Sequence, residues 1–479
     1  MANEFIVKNG FKSQGDSEVT GSLNVSGSLS VNGSAIGASA TDFTQSLFVT
    51  PSGDDGTAVV GDMLKPFQTI LAATASANSG DTIFVYPGTH SEEAKIIKEG
   101  VNYYFHPDAF VSVDNNISVM NGTYDTVNVR GYGQFEGGGT YGINNALIEL
   151  TVNKTSYLEF DYVRTTSTGN SYEANLRVGT SNTDADIEYF KIKGNVEMTG
   201  SGGVSLVQAL QIQAGNVEFE GRVHVAASKN AGTQAIEINS DVSDCWIKAD
   251  SYAAEGEALY SSARNPHIKL EGKYETGTQG TYYAMRFNDN YQGQHIIDAE
   301  VVGSIEIAPG EVNYGGVKFS GYQTCQDAPS NNGALYIRSG YNQIDASIYC
   351  SDSVILHVEG GHTVFNGTAE AASNGSTKLF DVSAGLLHWK GSMDDNSKRS
   401  LSSEISGGEL IIDSYLQHYG GNFPTNRFAF NLSGGTLEIN NKVIYHQNTT
   451  GSGIVDMTGR YLKLNGAQLV HADQTGSWA

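Results

Sequence analysis

The sequence has few basic residues and no long apolar run, and each shortage excludes a class of partner. Its 28 Lys and Arg stand against 52 Asp and Glu, which gives a net charge of −24. Nucleic acid and anionic membranes would repel such a surface, so we expect neither as a partner. No apolar stretch approaches the roughly 18 residues of a membrane-spanning helix, so we expect no membrane insertion. The first residues also lack the basic and apolar regions of a secretory signal.

Cysteine and proline are also scarce. The three cysteines, Cys245, Cys325 and Cys350, are an odd number without a C-x-x-C motif. This argues against a disulfide framework and a cysteine-only zinc site, and favours three small buried side chains. We expect no cofactor and no metal. With 8 Pro, 57 Gly and 39% hydrophobic residues, the chain is too apolar to be disordered. It is also too poor in Leu, Lys and Glu to be mainly helical, which leaves the β class.

Residues 1–40 carry a six-residue repeat, VTGSLN-VSGSLS-VNG. Its apolar positions are Val19, Leu23, Val25, Leu29 and Val31. The spacing is typical of strands, but one copy has too little apolar surface to bury alone. We therefore expect repeats from several chains to stack around an axis, as an arm for attachment and oligomerisation. The alternative is a flexible Gly/Ser linker.

Residues 41–90 contain a short strand, a turn cluster and the amphipathic segment KPFQTILAATASA. Pro66 suits a first helical turn, and Phe67, Ile70, Leu71 and Thr74 share one face. The strand of GDTIFVYPGTH follows. This order resembles the opening of right-handed parallel β-helix proteins with the pectin-lyase-like fold, in which the helix caps the first coil. His90 stands where that family more often has an aromatic residue.

From Val85 onward and through the predicted rod of residues 91–479, the chain carries a cassette in which an apolar residue precedes a polar and usually a small one. Fifteen intervals between sixteen such positions cover 464 − 85 = 379 residues, about 25 each, a period typical of a β-solenoid. A pair of β-sandwiches or a propeller is the alternative. The predicted fold is all-β: a right-handed parallel β-helix with a short N-terminal capping helix and an extended β-repeat arm. The sixteen positions are Val85, Phe105, Val129, Phe160, Ile192, Phe219, Ile247, Leu270, Ile297, Phe319, Ile344, Phe365, Trp389, Ile412, Ile439 and Leu464.

Two pairs of acids are candidates for catalysis on a polysaccharide. Asp241 and Asp244 lie near Trp246, and Asp394 and Asp395 lie near Trp389. Paired carboxylates can serve as acid and base in glycoside hydrolysis. The alternative is that each pair is an acidic turn next to an inward-facing Trp. Trp389 itself falls on the cassette, which predicts a core position. No motif in the sequence demands an enzyme.

The hexad arm followed by a Gly- and Asn-rich solenoid resembles bacteriophage tail fibres and tailspikes. The resemblance implies a homotrimer that is assembled in the host cytoplasm and then resides on the virion. Residues 1–40 would contact other virion proteins of the baseplate, tail or head. The rod would then recognise a glycan or protein on the host surface. We expect a structural, non-catalytic appendage. Two alternatives stay open: a tailspike depolymerase that uses paired Asp or Glu, and a head-decorating fibre.

Overall fold

The structure of the chain is a computed structural model, and it describes a set of residue ranges. They are 29–31, 34–36, 42–93, 95–113, 118–137, 146–166, 174–179, 187–199, 208–213, 215–226, 233–239, 242–263, 267–288, 293–308, 315–329, 332–351, 354–371, 378–393, 402–420, 430–441, 443–447, 455–457, 461–464, 469–471 and 477–478.

Almost all regular structure in these residues is strand. One 3₁₀ turn (Asp42–Gln45) and one helix, α1 (Ile70–Ser76), lie near the N-terminal end. The strands up to the middle of the chain are β1 Leu29–Val31, β2 Ser34–Ile36, β3 Ser46–Val49, β4 Thr82–Val85, β5 Gly88–Glu92, β6 Asn102–Phe105, β7 Ala109–Val113, β8 Met120–Tyr124, β9 Asn128–Gly131, β10 Gln134–Gly137, β11 Ala146–Val152, β12 Ser156–Thr165, β13 Ala174–Val178, β14 Phe190–Met198, β15 Gln208–Ile212, β16 Gly215–Val225, β17 Thr233–Ile238, β18 Val242–Ala253, β19 Gly256–Ser261, β20 His267–Thr276 and β21 Met285–Asn288.

The strands that follow are β22 Gln294–Val302, β23 Ile305–Ala308, β24 Gly316–Cys325, β25 Leu335–Ile337, β26 Tyr341–Ile344, β27 Ser347–Cys350, β28 Leu356–Val358, β29 His362–Phe365, β30 Thr368–Ala371, β31 Lys378–Val382, β32 Leu386–Trp389, β33 Ser392–Met393, β34 Ser402–Ile405, β35 Glu409–Ile412, β36 Leu416–Gly420, β37 Phe430–Leu432, β38 Thr436–Ile439, β39 Val443–Gln447, β40 Val455–Met457, β41 Tyr461–Leu464, β42 Leu469–His471 and β43 Ser477–Trp478.

Two large parallel sheets build the solenoid. One has 23 strands and the other 14, and the chain alternates between them from β10 to β24. Each strand pairs with the strand one coil further along: Phe219 pairs with Ile247, and Ile247 pairs with Leu270. This parallel ladder confirms the predicted solenoid and contradicts both a propeller and a sandwich, which are built from antiparallel sheets. A small four-stranded sheet contains β36, β39, β42 and β43.

The predicted cassette positions form one continuous row of the larger sheet from Ile192 to Leu464, each in register with the next. Nearer the N-terminus the row runs through Ile83, Tyr103, Val129 and Leu158. Val85, Phe105 and Phe160, which we predicted for it, therefore lie two residues beyond the row. They are buried nevertheless, because side chains alternate with a period of two and a two-residue offset keeps the same face.

Helix α1 covers the N-terminal end of this core, with Ile70, Ala73 and Thr74 buried. The predicted start at Pro66 is wrong. The helix begins four residues later because the Thr69 hydroxyl accepts from the Ala72 amide as its N-cap. Leu71, which we predicted on one face with Ile70 and Thr74, is 38% exposed, whereas those two residues are buried.

Five long strands, β16 to β24 in even numbers, carry a row of small residues. Gly221, Ala249, Gly272, Ala299 and Gly321 are successive partners in this row. At Gly272 the φ angle is +102°, and a Cβ there would lie 2.2 Å from the Ala249 carbonyl oxygen. The left-handed backbone and the close approach both require glycine at this position. The residues that follow this row in β16, β18 and β20 line a common groove.

Candidate functional site

An open groove of about 310 Å³ lies on the outer face of the larger sheet, just after the row of small residues in β16, β18 and β20. We call it the rod-face groove. Its lining consists of Arg222, His224, Asp250, Ser251, Tyr252, Lys273 and Glu275.

Strand register fixes the positions of these side chains. Arg222, Asp250 and Lys273 form one row across three coils, and His224, Tyr252 and Glu275 form the next row. The rings of His224 and Tyr252 stack with their centroids 5.1 Å apart and their planes 15° from parallel. The groove therefore presents an aromatic pair beside a cation–anion–cation row.

The protonation of His224 follows from its neighbours. Burial and the Arg222 charge both lower its pKa below the ordinary 6.5. Arg222 Nη2 lies 3.3 Å from His224 Nδ1, and a guanidinium can only donate. The ring is therefore neutral at pH 7, accepts at Nδ1, and offers the Nε2–H as a donor.

The cation on the other side of the groove is held by carboxylates. Lys273 Nζ lies 2.8 Å from Glu275 and 3.7 Å from Glu300. The hydrogen bond to Glu275 is the main cause of a raised Lys273 pKa. Lys273 is therefore a cation and His224 a neutral ring at neutral pH. The groove can hydrogen-bond a ligand and pack an aromatic ring against it.

The outer face continues the same chemistry beyond the groove. Lys193, Glu220, Lys248 and Glu271 alternate in sign along one row of register partners. Trp246, in an adjacent row, is 40% exposed, and Lys269 Nζ lies 4.5 Å from its ring centroid. Several coils thus share a polar and aromatic surface.

A second polar row runs across the 14-stranded sheet, and we call it the polar ladder. Its cations bridge carboxylates and amides of neighbouring coils: Arg177 Nη1 lies 3.5 Å from Glu149, and Arg177 Nε donates to Gln211 at 2.6 Å. The successive register partners are Glu149, Arg177, Gln211, Glu237, Tyr260, Arg286, Glu306, Tyr336, His357, Asp381 and Glu404.

Two buried carboxylates meet on one guanidinium in this ladder. Arg286 Nε lies 2.7 Å from Glu306, and Arg286 Nη1 lies 3.5 Å from Glu257, which flanks the ladder. Burial raises the pKa of Glu257. The side chains of Glu257 and Glu306 are only 10% and 4% exposed. We did not predict this pair from the sequence; its two acids lie two coils apart, on either side of Arg286.

Among the predicted catalytic residues, Asp244 is exposed on β18, in register with Asn216 and His267. Asp241, Asp394 and Asp395 lie outside the described residues. Trp389 is fully buried, as predicted from its cassette position.

Two of the five predicted arm residues fall in the described part of the chain. Leu29 and Val31 belong to β1, which pairs antiparallel with β2 through Leu29–Ile36 and Val31–Ser34. Val19, Leu23 and Val25 lie outside the described residues.

Together, the two parallel ladders and their inward apolar rows define a parallel β-solenoid protein. No protein-family model, curated protein or solved structure matches the chain. Within the described ranges, no helix has the length and apolar character that crossing a membrane requires. The same ranges contain no group of three or more His, Cys, Asp or Glu placed to hold a metal ion.

Proposed function

We propose that the protein is a non-catalytic appendage of a bacteriophage virion, whose solenoid binds a glycan on the host surface through the rod-face groove. The observation that carries the binding function is the groove itself, an open cleft across three coils. It combines the stacked His224–Tyr252 pair with the Arg222–Asp250–Lys273 row.

The chemistry of the groove suits a hydroxyl-rich ligand. A sugar needs fixed hydrogen-bond donors and acceptors, together with an apolar ring to pack against. Arg222 and the neutral His224 supply donors, Asp250 supplies an acceptor, and Tyr252 supplies the ring. Because coils repeat about every 4.8 Å, equivalent outward positions recur along the solenoid, which suits a repeating polymer.

Binding without cleavage fits the groove better than hydrolysis does. A glycosidase needs an accessible acid with a raised pKa and a second carboxylate about 5–10 Å away. In the groove, Glu275 is held by Lys273 at 2.8 Å. Burial raises the pKa of Glu257, but Glu257 lies beside the polar ladder and not in the groove. Glu257 and Glu306 on Arg286 are the paired carboxylates that a depolymerase, the second candidate function, would use, and their side chains are only 10% and 4% exposed.

The remaining parts of the proposal rest on the arm. A homotrimer with residues 1–40 docked on other virion proteins would let the hexad repeats of three chains share their apolar positions. Assembly in the host cytoplasm would precede residence on the virion. A fibre that decorates the head would use the same arm on a different virion protein.

The test measures binding of the full-length protein to a panel of purified bacterial surface polysaccharides by calorimetry. For a polysaccharide that binds, Tyr252→Ala should weaken the affinity about tenfold, which corresponds to roughly 1.4 kcal/mol. Tyr104→Ala is the matched control, because Tyr104 is 45% exposed on the same sheet but lies on β6, several coils from the groove. Equal effects of the two substitutions would remove the groove from the proposal.

The same polysaccharides separate the two candidate functions. A binding protein leaves their chain length unchanged during prolonged incubation. Release of new reducing ends that Glu257→Gln abolishes would instead establish the depolymerase.

A further inference from the structure

Two of the three cysteines face each other across adjacent coils. Cys325 ends β24 and Cys350 ends β27, and the two residues are register partners in the larger sheet. Both side chains are fully buried. Neighbouring strands lie about 4.8 Å apart, and disulfide-linked residues have Cα atoms about 4.4–6.8 Å apart. The backbone thus already holds this pair within bonding range.

Both sulfurs lie in the same buried layer, and each thiol also contacts a backbone carbonyl oxygen. Cys325 Sγ donates to Asp327 at 3.2 Å, and Cys350 Sγ lies 4.0 Å from the Val354 oxygen. Ser304 Oγ lies 3.3 Å from the Cys325 sulfur. The side chain of Cys350 is the main cause of a lowered pKa of Cys325, and a lowered pKa favours the thiolate that attacks in disulfide exchange.

We propose that Cys325 and Cys350 form a reversible disulfide that links two successive coils of the solenoid when the protein meets an oxidising medium. The oxidant is a small disulfide of the glutathione class. This inference does not depend on the proposed function, because it concerns the solenoid alone.

The chemistry is two thiol–disulfide exchanges. The Cys325 thiol loses its proton, and its sulfur attacks the oxidant, forming a mixed disulfide and releasing one glutathione thiolate. The Cys350 thiol then loses its proton, and its sulfur attacks the Cys325 sulfur and releases the second glutathione thiolate. The cysteines lose two protons and two electrons, and the two electrons reduce the oxidant to two thiolates. Because both thiols are buried, the reaction requires local opening of the coil edge and should take minutes to hours.

The bond would close a loop of 350 − 325 = 25 residues, which is one coil. Constraining that loop in the unfolded chain favours the folded state. A reducing cytoplasm would leave the thiols free, and an oxidising medium would fix the coils to each other.

The test uses the full-length protein incubated with oxidised glutathione, then denatured, alkylated and weighed by mass spectrometry. We expect one disulfide, a mass lower by about 2 Da before alkylation, and one alkylated thiol, on Cys245. Peptide mapping should find Cys325 joined to Cys350. Cys245→Ser is the matched control and should keep the bond, whereas Cys350→Ser should abolish it. The melting temperature of the oxidised wild type should rise by a few degrees and return on reduction.

Three alkylated thiols after oxidation, also at a urea concentration just below unfolding, would overturn the proposal. So would a bond that involves Cys245. A Cys325–Cys350 bond that lowers the melting temperature would overturn its stabilising role. The mass measurement on the wild-type chain reports the bond even where a substituted chain does not fold.

Discussion

Replacing Trp389 by alanine is the sharpest test of the stacked core. Trp389 is fully buried, its ring lies 4.4 Å from that of Phe365 at 4°, and it meets Phe380 edge-on at 5.0 Å. A Trp side chain buries about 200 Å², and at about 25 cal/mol per Å² this burial stabilises the folded state by about 5 kcal/mol. Measured Trp→Ala losses are about 3–5 kcal/mol, since the cavity partly relaxes. We expect Trp389→Ala to lower the free energy of unfolding by an amount in that range.

The matched control is Trp246→Ala, because Trp246 is 40% exposed. Trp246→Ala should lower the free energy of unfolding by about 1 kcal/mol or less, mainly because the contact with Lys269 is removed. Since each coil contacts only its neighbours, the Trp389 loss should be local. Hydrogen exchange read by mass spectrometry should therefore speed up about 100-fold or more in peptides covering residues 362–412. Equal protection in the two variants would refute the assignment of Trp389 to the stacked core.

Two further predictions concern pH and assembly. Burial, aided by His267, lowers the pKa of His295 to about 3. Between this value and the ordinary 6.5 the unfolded chain binds a proton that the folded chain does not, so stability falls as the pH falls. From pH 7 to pH 5 the proton bound by His295 in the unfolded chain lowers the free energy of unfolding by about 2 kcal/mol. Urea titrations should show His295→Gln losing that much less stability than the wild type over the same range, and identical pH slopes would contradict the assignment. In light scattering, we expect the full chain to have the mass of a trimer and a chain beginning at Thr41 the mass of a monomer; a full-length monomer would count against the arm as the assembly element.

The inward row could be predicted from the sequence because it repeats with little interruption. From Ile192 onward, every cassette residue that we chose is in register with the next. The cysteine pair carried a signal of the same kind, since Cys325 and Cys350 are separated by one period. We missed it because cysteines were judged by number and motif rather than by that period.

The rod-face groove could not be predicted in this way. Its side chains follow the row that contains Gly221 and Gly272 on three neighbouring strands. Ala249 and Ala299 occupy the same row, so the sequence does not mark this row with one residue type. Which outward residues meet across coils depends on the strand register.

The Glu257–Arg286–Glu306 cluster shows a second limit, which comes from unequal coils. Arg286 follows Glu257 by 29 residues and precedes Glu306 by 20, although the three side chains lie together. Strand register sets the height of a residue along the solenoid, whereas turn length sets its spacing in the sequence, and the two vary independently. An apolar row tolerates this variation, since any large apolar residue at the next inward position maintains it. A charged cluster does not, because a guanidinium must meet its own carboxylates within a few ångströms. Buried charge clusters in a solenoid are therefore located by register, and sequence periodicity locates mainly the core that holds them in place.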